Sequence, residues 1–216
     1  MKKSALLLLV LLAMACTSET YDTGNGDLSL MRADFVEAHS AVEGKAFDSA
    51  TTDEDVRLAF SQPLEAGWIT TADSTYRALL YYNKEAERIR PVSISRVMVL
   101  RPAAPGEDEG EAKTDPVGLE SAWMSWNGRY INLGLLLKSG RTDDEEAAQR
   151  IGVRRSSQDE TSLSLTFIHD QGGVPEYYTS RVYASIPVTE DMKGKAVSIQ
   201  INTWQGIVER TFQVGE

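Results

Sequence analysis

The sequence predicts an all-β protein of two units, a small barrel followed by a β-sandwich. Three observations carry this. Apolar residues recur at every second position in one segment after another, the period of a strand with one buried face. Clusters of Gly, Asn, Asp and Ser separate those segments. A charged, proline-bearing stretch, RPAAPGEDEGEAKTDPVG at 101–118, cuts the chain into halves of about 75 and 100 residues.

The chain opens on a segment of another kind. Lys2 and Lys3 precede an apolar run from Ala5 to Leu12, and the small residues Ala13 and Ala15 follow. A basic start, an apolar centre and small residues at the cut are the parts of a secretory signal. The run is too short for a bilayer core, which takes roughly 20 apolar residues. LAMAC, residues 12–16, resembles a bacterial lipobox, in which cleavage leaves the cysteine as an acylated first residue. Cys16, the sole cysteine of the sequence, is then the expected lipidation site, its thiol consumed by a thioether and lost to catalysis or metal binding. At about 0.8 kcal/mol per buried methylene, several acyl chains would hold the protein to a membrane without a transmembrane helix. Residues 1–15 are therefore expected as signal peptide. Residues 16–27 read as a flexible tether, because TSETYDTGNGD offers turn formers and no apolar period.

Loss of residues 1–15 removes two lysines and no acid, leaving 201 residues and moving the net charge from -10 to -12. That is enough chain for one large domain or two small ones. An acidic surface disfavours nucleic acid and anionic lipid, leaving the acyl chains as the membrane link. With one cysteine, no disulfide can form within the chain, and stability must come from packing.

Residues 28–103 form the first unit. LSLMRADFVEA, DVRLAF, STYRALLYYN and PVSISRVMVL carry β-branched and aromatic residues bounded by turn formers. About five strands in this space fit a small barrel of OB-like type. In the last segment Val92 and Ile94 share a face while Val97 and Val99 take the opposite parity, so a β-bulge is expected near Ser95. Residues 104–117 read as an acidic linker; they lack the D-x-[DN]-x-[DN]-G spacing of a calcium loop.

Residues 118–216 form the second unit. Leu163, Leu165 and Phe167 alternate with polar neighbours, as do Val182, Ala184, Ile186 and Val188, and then Val197, Ile199 and Ile201. Asn127-Gly128 lies between two apolar-rich runs and predicts a hairpin with a type I′ turn, in which both central residues have positive φ. Gln205-Gly206 repeats that arrangement more weakly. Six or seven strands in about 100 residues predict a β-sandwich. TDDEEAAQR, residues 142–150, could form a short helix capped by Thr142, with Glu145 completing a capping box.

Catalytic constellations are scarce. His39 and His169 are the only histidines, too few for a three-histidine zinc site, and H-E-x-x-H, G-x-S-x-G, the phosphate loop and G-x-G-x-x-G are all missing. His169 and Asp170 adjoin, but neighbours on a strand point to opposite faces; His169 reads as a strand-end or turn residue. No carboxylate lies in an apolar segment that would raise its pKa. The chain is read as non-enzymatic, with no catalytic residue, no metal site and no cofactor. Trp68, Trp123, Trp126 and Trp204, with the Tyr81-Tyr82 and Tyr177-Tyr178 pairs, could fill the core or present platforms to a sugar or a protein. Adjacent tyrosines on a strand put one ring on each face. Tyr82, Trp123 and Tyr178 are the candidate binding aromatics.

The lipobox, YRALLYYN in the first half, and GRYINLGLLLKSG followed by LSLTFIHDQGGVPEYYTSRVYASIPV in the second resemble the NigD-like lipoproteins of Bacteroidota. The likeness covers essentially the whole mature chain, and it implies an N-terminal OB-like domain followed by a C-terminal β-sandwich. It also implies a cell-envelope lipoprotein anchored in the outer membrane. The family is named for a gene beside a bacteriocin and was proposed to confer immunity, so a protein or peptide partner is the expected ligand. A carbohydrate-binding accessory is the alternative, with Trp123 or Tyr178 as stacking surfaces, and a hydrolase is a third reading.

Overall fold

The computed structural model describes residues 30–42, 45–102 and 112–215. Cys16, the signal and the tether lie outside them. The chain is all-β, and among the described residues the one helical element is a single 3₁₀ turn at Glu190–Met192.

Five strands close a barrel in the order β1-β2-β3-β5-β4: β1 (Arg32–Ser40), β2 (Ala46–Thr52), β3 (Arg57–Glu65), β4 (Thr75–Glu85) and β5 (Arg88–Arg96). β3 and β5 meet in parallel at Phe60 and Ile89, and closure leaves no edge to mispair. Val36, Phe47, Phe60, Leu80, Tyr82 and Ile89 fill the interior. β2, AFDSATT, is absent from the segments named on sequence, because a register shift between Phe47 and Ser49 breaks its alternation. β4 is buried on both faces. Ala78, Leu80 and Tyr82 point into the barrel, while Arg77 and Leu79 are buried on the other side.

The parity slip in PVSISRVMVL has a different cause from the bulge expected near Ser95. The extra residue of β5 is Val92, since Tyr81 pairs with Ser93 and Tyr82 with Pro91. The slip beyond Ser95 is the chain leaving the barrel. The Val97 amide still donates to the Arg77 carbonyl at 3.0 Å, but the next residues form β6 (Met98–Val99), parallel to β11 (Tyr178–Pro187) in another sheet.

Seven further strands complete two four-stranded sheets. One runs β6-β11-β8-β7, with β7 (Gly118–Met124) and β8 (Tyr130–Ser139). The other runs β13-β12-β10-β9, with β9 (Arg150–Gln158), β10 (Ser162–Asp170), β12 (Ala196–Thr203) and β13 (Gly206–Gln213). Leu133, Leu135 and Ile186 of the first sheet and Leu165, Phe167 and Ile199 of the second belong to a single core. Fully burying each such side chain contributes roughly 1.5–3 kcal/mol. The alternation of β10 is strict, Leu163, Leu165, Phe167 and His169 buried and their neighbours half-buried.

Two local expectations are corrected. The β7–β8 hairpin forms, but its turn is not type I′: Gly128 has φ +69° and Asn127 is not in the positive-φ region, the Gly128 amide donating to the Ser125 carbonyl at 2.9 Å. Residues 142–150 form no helix. Thr142 Oγ1 and Asp144 Oδ1 accept from the amides of Asp144 and Glu146, side-chain turns that compete with helix formation, and the Ala148 amide donates to the Gly172 carbonyl. The last residues before β7 are bonded to the second core's sheet. Thr114 bridges to His169 and Val117 to Thr203, and Val117 is fully buried. Residues 103–111 of the acidic stretch lie outside the described residues.

Candidate functional site: the seam between barrel and sheets

The outer face of β1 packs on the sheet that contains β7, β8 and β11. Phe35 meets Trp123 and Tyr183 edge-on, each at 5.3 Å between ring centroids. Beneath them sits Arg77, 4 % exposed. Its guanidinium donates to both carboxylate oxygens of Asp53 at 2.5 and 2.7 Å, to Ser185 Oγ at 3.1 Å and to Asn132 Oδ1 at 3.1 Å. The Tyr130 ring lies 4.2 Å from the guanidinium carbon and the Phe35 ring 5.4 Å. A buried arginine is tolerable only when its donors are met in this way. At the rim, Arg129 pairs with Glu37 at 2.7 Å and with Asp55, and the Tyr130 hydroxyl donates to Glu37 at 2.8 Å. Burial, then that hydrogen bond to a carboxylate, push the Tyr130 phenol up to about 12.

Two hairpin tips meet above this network. The β2–β3 tip is shaped by Thr52, whose Oγ1 accepts from the amides of Glu54 and Val56, and by Asp55 at φ +61°. The β7–β8 tip docks on it: the Asn127 amide donates to the Asp53 carbonyl at 2.9 Å, and Asn127 Nδ2 to Asp55 Oδ1 at 3.3 Å. Ser125 Oγ donates to Asn127 Oδ1 at 2.8 Å and accepts from the Tyr130 amide at 2.9 Å. The turn thereby holds Trp126 at the apex, 86 % exposed. A cleft of about 260 Å³ runs from this apex along β1, with Phe35, Tyr82, Trp123 and Trp126 among its aromatic lining and Arg32 and Lys84 among its charged lining. At its mouth Glu54, Asp55, Trp126 and Asn127 line a second hollow of about 340 Å³.

The structure separates the three candidate aromatics. Tyr82 is a core residue, 2 % exposed, and only reaches the cleft floor. Its hydroxyl donates to Asp34 at 2.6 Å, and burial followed by that bond pushes its phenol up to about 12. It cannot stack on a ligand. Trp123 is half-buried against Phe35 and forms a cleft wall. Tyr178 is 68 % exposed, edge-on to the exposed Tyr177 at 6.4 Å. It pairs with Ser139 at the far end of β8, and nine strand steps put it roughly 30 Å from Tyr130 and the seam. Both rings of that pair are exposed because Tyr177 precedes the strand.

His169 is the penultimate residue of β10 and 1 % exposed. Its Nδ1 lies 3.0 Å from the Asp115 carbonyl, and its Nε2 has no partner. Asp170 turns the other way, to Lys113 at 3.0 Å. Among the described residues no group of three or more His, Cys, Asp or Glu side chains is placed to hold a metal ion. None of their helices is long and apolar enough to cross a membrane.

Sequence reasoning missed Arg77, Asp53 and Glu54 as site residues, and placed Trp126 only among the general aromatics. Two signals were present. An arginine inside the apolar strand TYRALLYYN requires a buried partner, and a tryptophan directly before Asn-Gly sits on a turn and so faces solvent.

The chain is thus an all-β protein whose barrel and sheets are joined through a polar seam, and its fold has solved counterparts. It is similar to a NigD-like immunity protein from Bacteroides caccae, with 18% identity and a TM-score of 0.66 over 84% of this chain and 97% of that one. A protein from Parabacteroides distasonis, provisionally described as toxin-related, aligns at 16% identity and a TM-score of 0.64 over 86% and 93%. One from Bacteroides fragilis, provisionally described as a lipoprotein, aligns at 11% and 0.60 over 86% and 97%. At these identities the likeness is one of fold. No protein-family profile matches the chain, and no curated protein does.

Proposed function

We propose that the chain is a NigD-like lipoprotein, held to the outer membrane through lipid on Cys16, that binds a protein or peptide partner in the seam cleft. The observation that carries the binding site is Trp126, a bulky aromatic carried at the apex of two interlocked turns and left 86 % exposed beside a cleft. Exposed aromatics next to a concavity are frequent anchors of protein interfaces. The family reading is supported by the shared fold of the immunity protein and of the candidate lipoprotein, together with the lipobox. A bacteriocin-like toxin is the natural partner under that reading, and the two four-stranded sheets are then the family's sandwich domain. The three solved structures above are described as an immunity protein, as toxin-related and as a lipoprotein, which fits a non-enzymatic role.

The test places a photo-crosslinking amino acid at position 126 of the full chain in its own envelope, with positions 143 and 178 as comparisons. A discrete adduct from 126 alone is expected. Equal, diffuse labelling from all three positions would refute the reading. One observation favours a second ligand: the exposed Tyr177-Tyr178 pair is a surface of the kind that stacks on sugars. Glycan arrays with the parent and Tyr178→Ala decide it, and blank arrays for both remove the carbohydrate reading.

A further inference from the structure

We infer that the hollow between Trp126 and Glu54 takes up a cationic side chain, lysine or arginine, from the partner peptide; this rests on the seam being a binding cleft and names the chemistry recognised there. The ring face of an indole carries negative potential and attracts ammonium and guanidinium groups, most strongly for tryptophan. The bonds of Asn127 and Ser125 order the turn that carries Trp126, and the residue stands open to solvent where a cation can reach its ring.

The carboxylates around the cleft are not equivalent. Asp53 is neutralised by Arg77 and Asp34 accepts from Tyr82, while Asp55 is shared with Arg129. Glu54 is exposed and has no ion-pair partner among the described residues. Of the two carboxylates that line the hollow with Trp126, it is the one that carries no cation. No lysine or arginine lines that hollow. Arg32 and Lys84 line the inner cleft, where they would repel a cation and confine it to the mouth. The net charge of -10 adds long-range attraction of the same sign. An uncharged apolar or sugar ligand would use Trp126 but leave Glu54 idle, and that difference is measurable.

The full chain in a nonionic polyoxyethylene detergent is titrated with fluorescein-labelled hexalysine, hexaarginine and hexaglutamate at low salt, read by anisotropy. Hexalysine and hexaarginine are expected to bind and hexaglutamate not. Trp126→Ala and Glu54→Gln should each weaken hexalysine roughly five- to twentyfold. Trp126→Phe should recover part of the loss. Asp143→Asn, which removes an exposed acid from the β8–β9 loop at the far end of the sheet, should change nothing. Since both target residues are exposed, the variants should keep the parent's urea midpoint. Hexalysine binding that is indifferent to Trp126→Ala and Glu54→Gln overturns the inference, as does an equal loss with Asp143→Asn. A discrete cross-link from 126 accompanied by such indifference would overturn the cation assignment while leaving the cleft itself as the binding site.

Discussion

Arg77 and Ser185 stand 108 positions apart in the chain and 3.1 Å apart in the fold, Nε donating to Oγ across the seam. The same guanidinium grips Asp53 on its own side, so one side chain ties the barrel to the neighbouring sheet. Arg77→Met should therefore cost about 3–5 kcal/mol, because it strands the Asp53 carboxylate and leaves Asn132 and Ser185 short of a donor. Adding Asp53→Asn to that variant should cost much less than it does in the parent. Urea unfolding of the four proteins measures the coupling, and additive losses would show that the pair is not coupled.

The seam should loosen in alkali. Tyr82 and Tyr130 both ionise only near pH 12 in the folded chain, against about 10 when unfolded. Between those values the folded state holds more protons than the unfolded one, so stability is intact below pH 10 and falls as pH rises toward 12. Tyr82→Phe and Tyr130→Phe should each flatten that decline, measured as urea midpoints across the window. A slope unchanged in both variants would contradict the assignment.

Two glycines should behave differently on replacement by alanine. Gly128 has φ +69° with open space around its Cα, so Gly128→Ala should cost only the conformational strain, about 1–2 kcal/mol. Gly172 has φ +58°, and a Cβ there would also run into the Ala148 carbonyl. Gly172→Ala should be the more destabilising of the two, with thermal melts as the readout.

Tyr82→Ala empties a packed barrel and should cost about 3–5 kcal/mol, as for other large aromatics. Tyr178→Ala, with its ring 68 % exposed, should stay within about 0.5 kcal/mol of the parent. Chemical denaturation of the two variants separates core from surface directly.

Cys16→Ser should release the protein from the membrane fraction, judged by detergent-free fractionation of expressing cells. A variant that still sediments with membranes would show that something other than lipid holds it there.

Alternation made most strands legible, because a half-buried strand writes its burial into every second residue, as Leu163, Leu165 and Phe167 do. β2 was not legible, since its buried set of Phe47, Ala50 and Thr52 is out of phase across a register shift. Tyr82 misled because alternation puts adjacent rings on opposite faces without saying which face is inside: Tyr82 points into the barrel and Tyr81 is the half-buried outer ring. Trp126 and Arg77 could each be read as unusual in place, an indole on a turn and a cation in an apolar strand. What each one faces depends on the meeting of two hairpin tips, and no local pattern encodes that.

The crossing of Met98–Val99 from barrel to sheet means that the molecule has no clean seam for scissors. A cut anywhere between Leu100 and Ala112 takes the border strand and the buried Leu100 away from the sheet they complete. A barrel excised at that point would carry someone else's edge, and the remainder would start life with a gap. Exchange of halves between relatives would then have to move the crossing dipeptide with the sheet it serves, making the junction an inherited joint rather than a spacer.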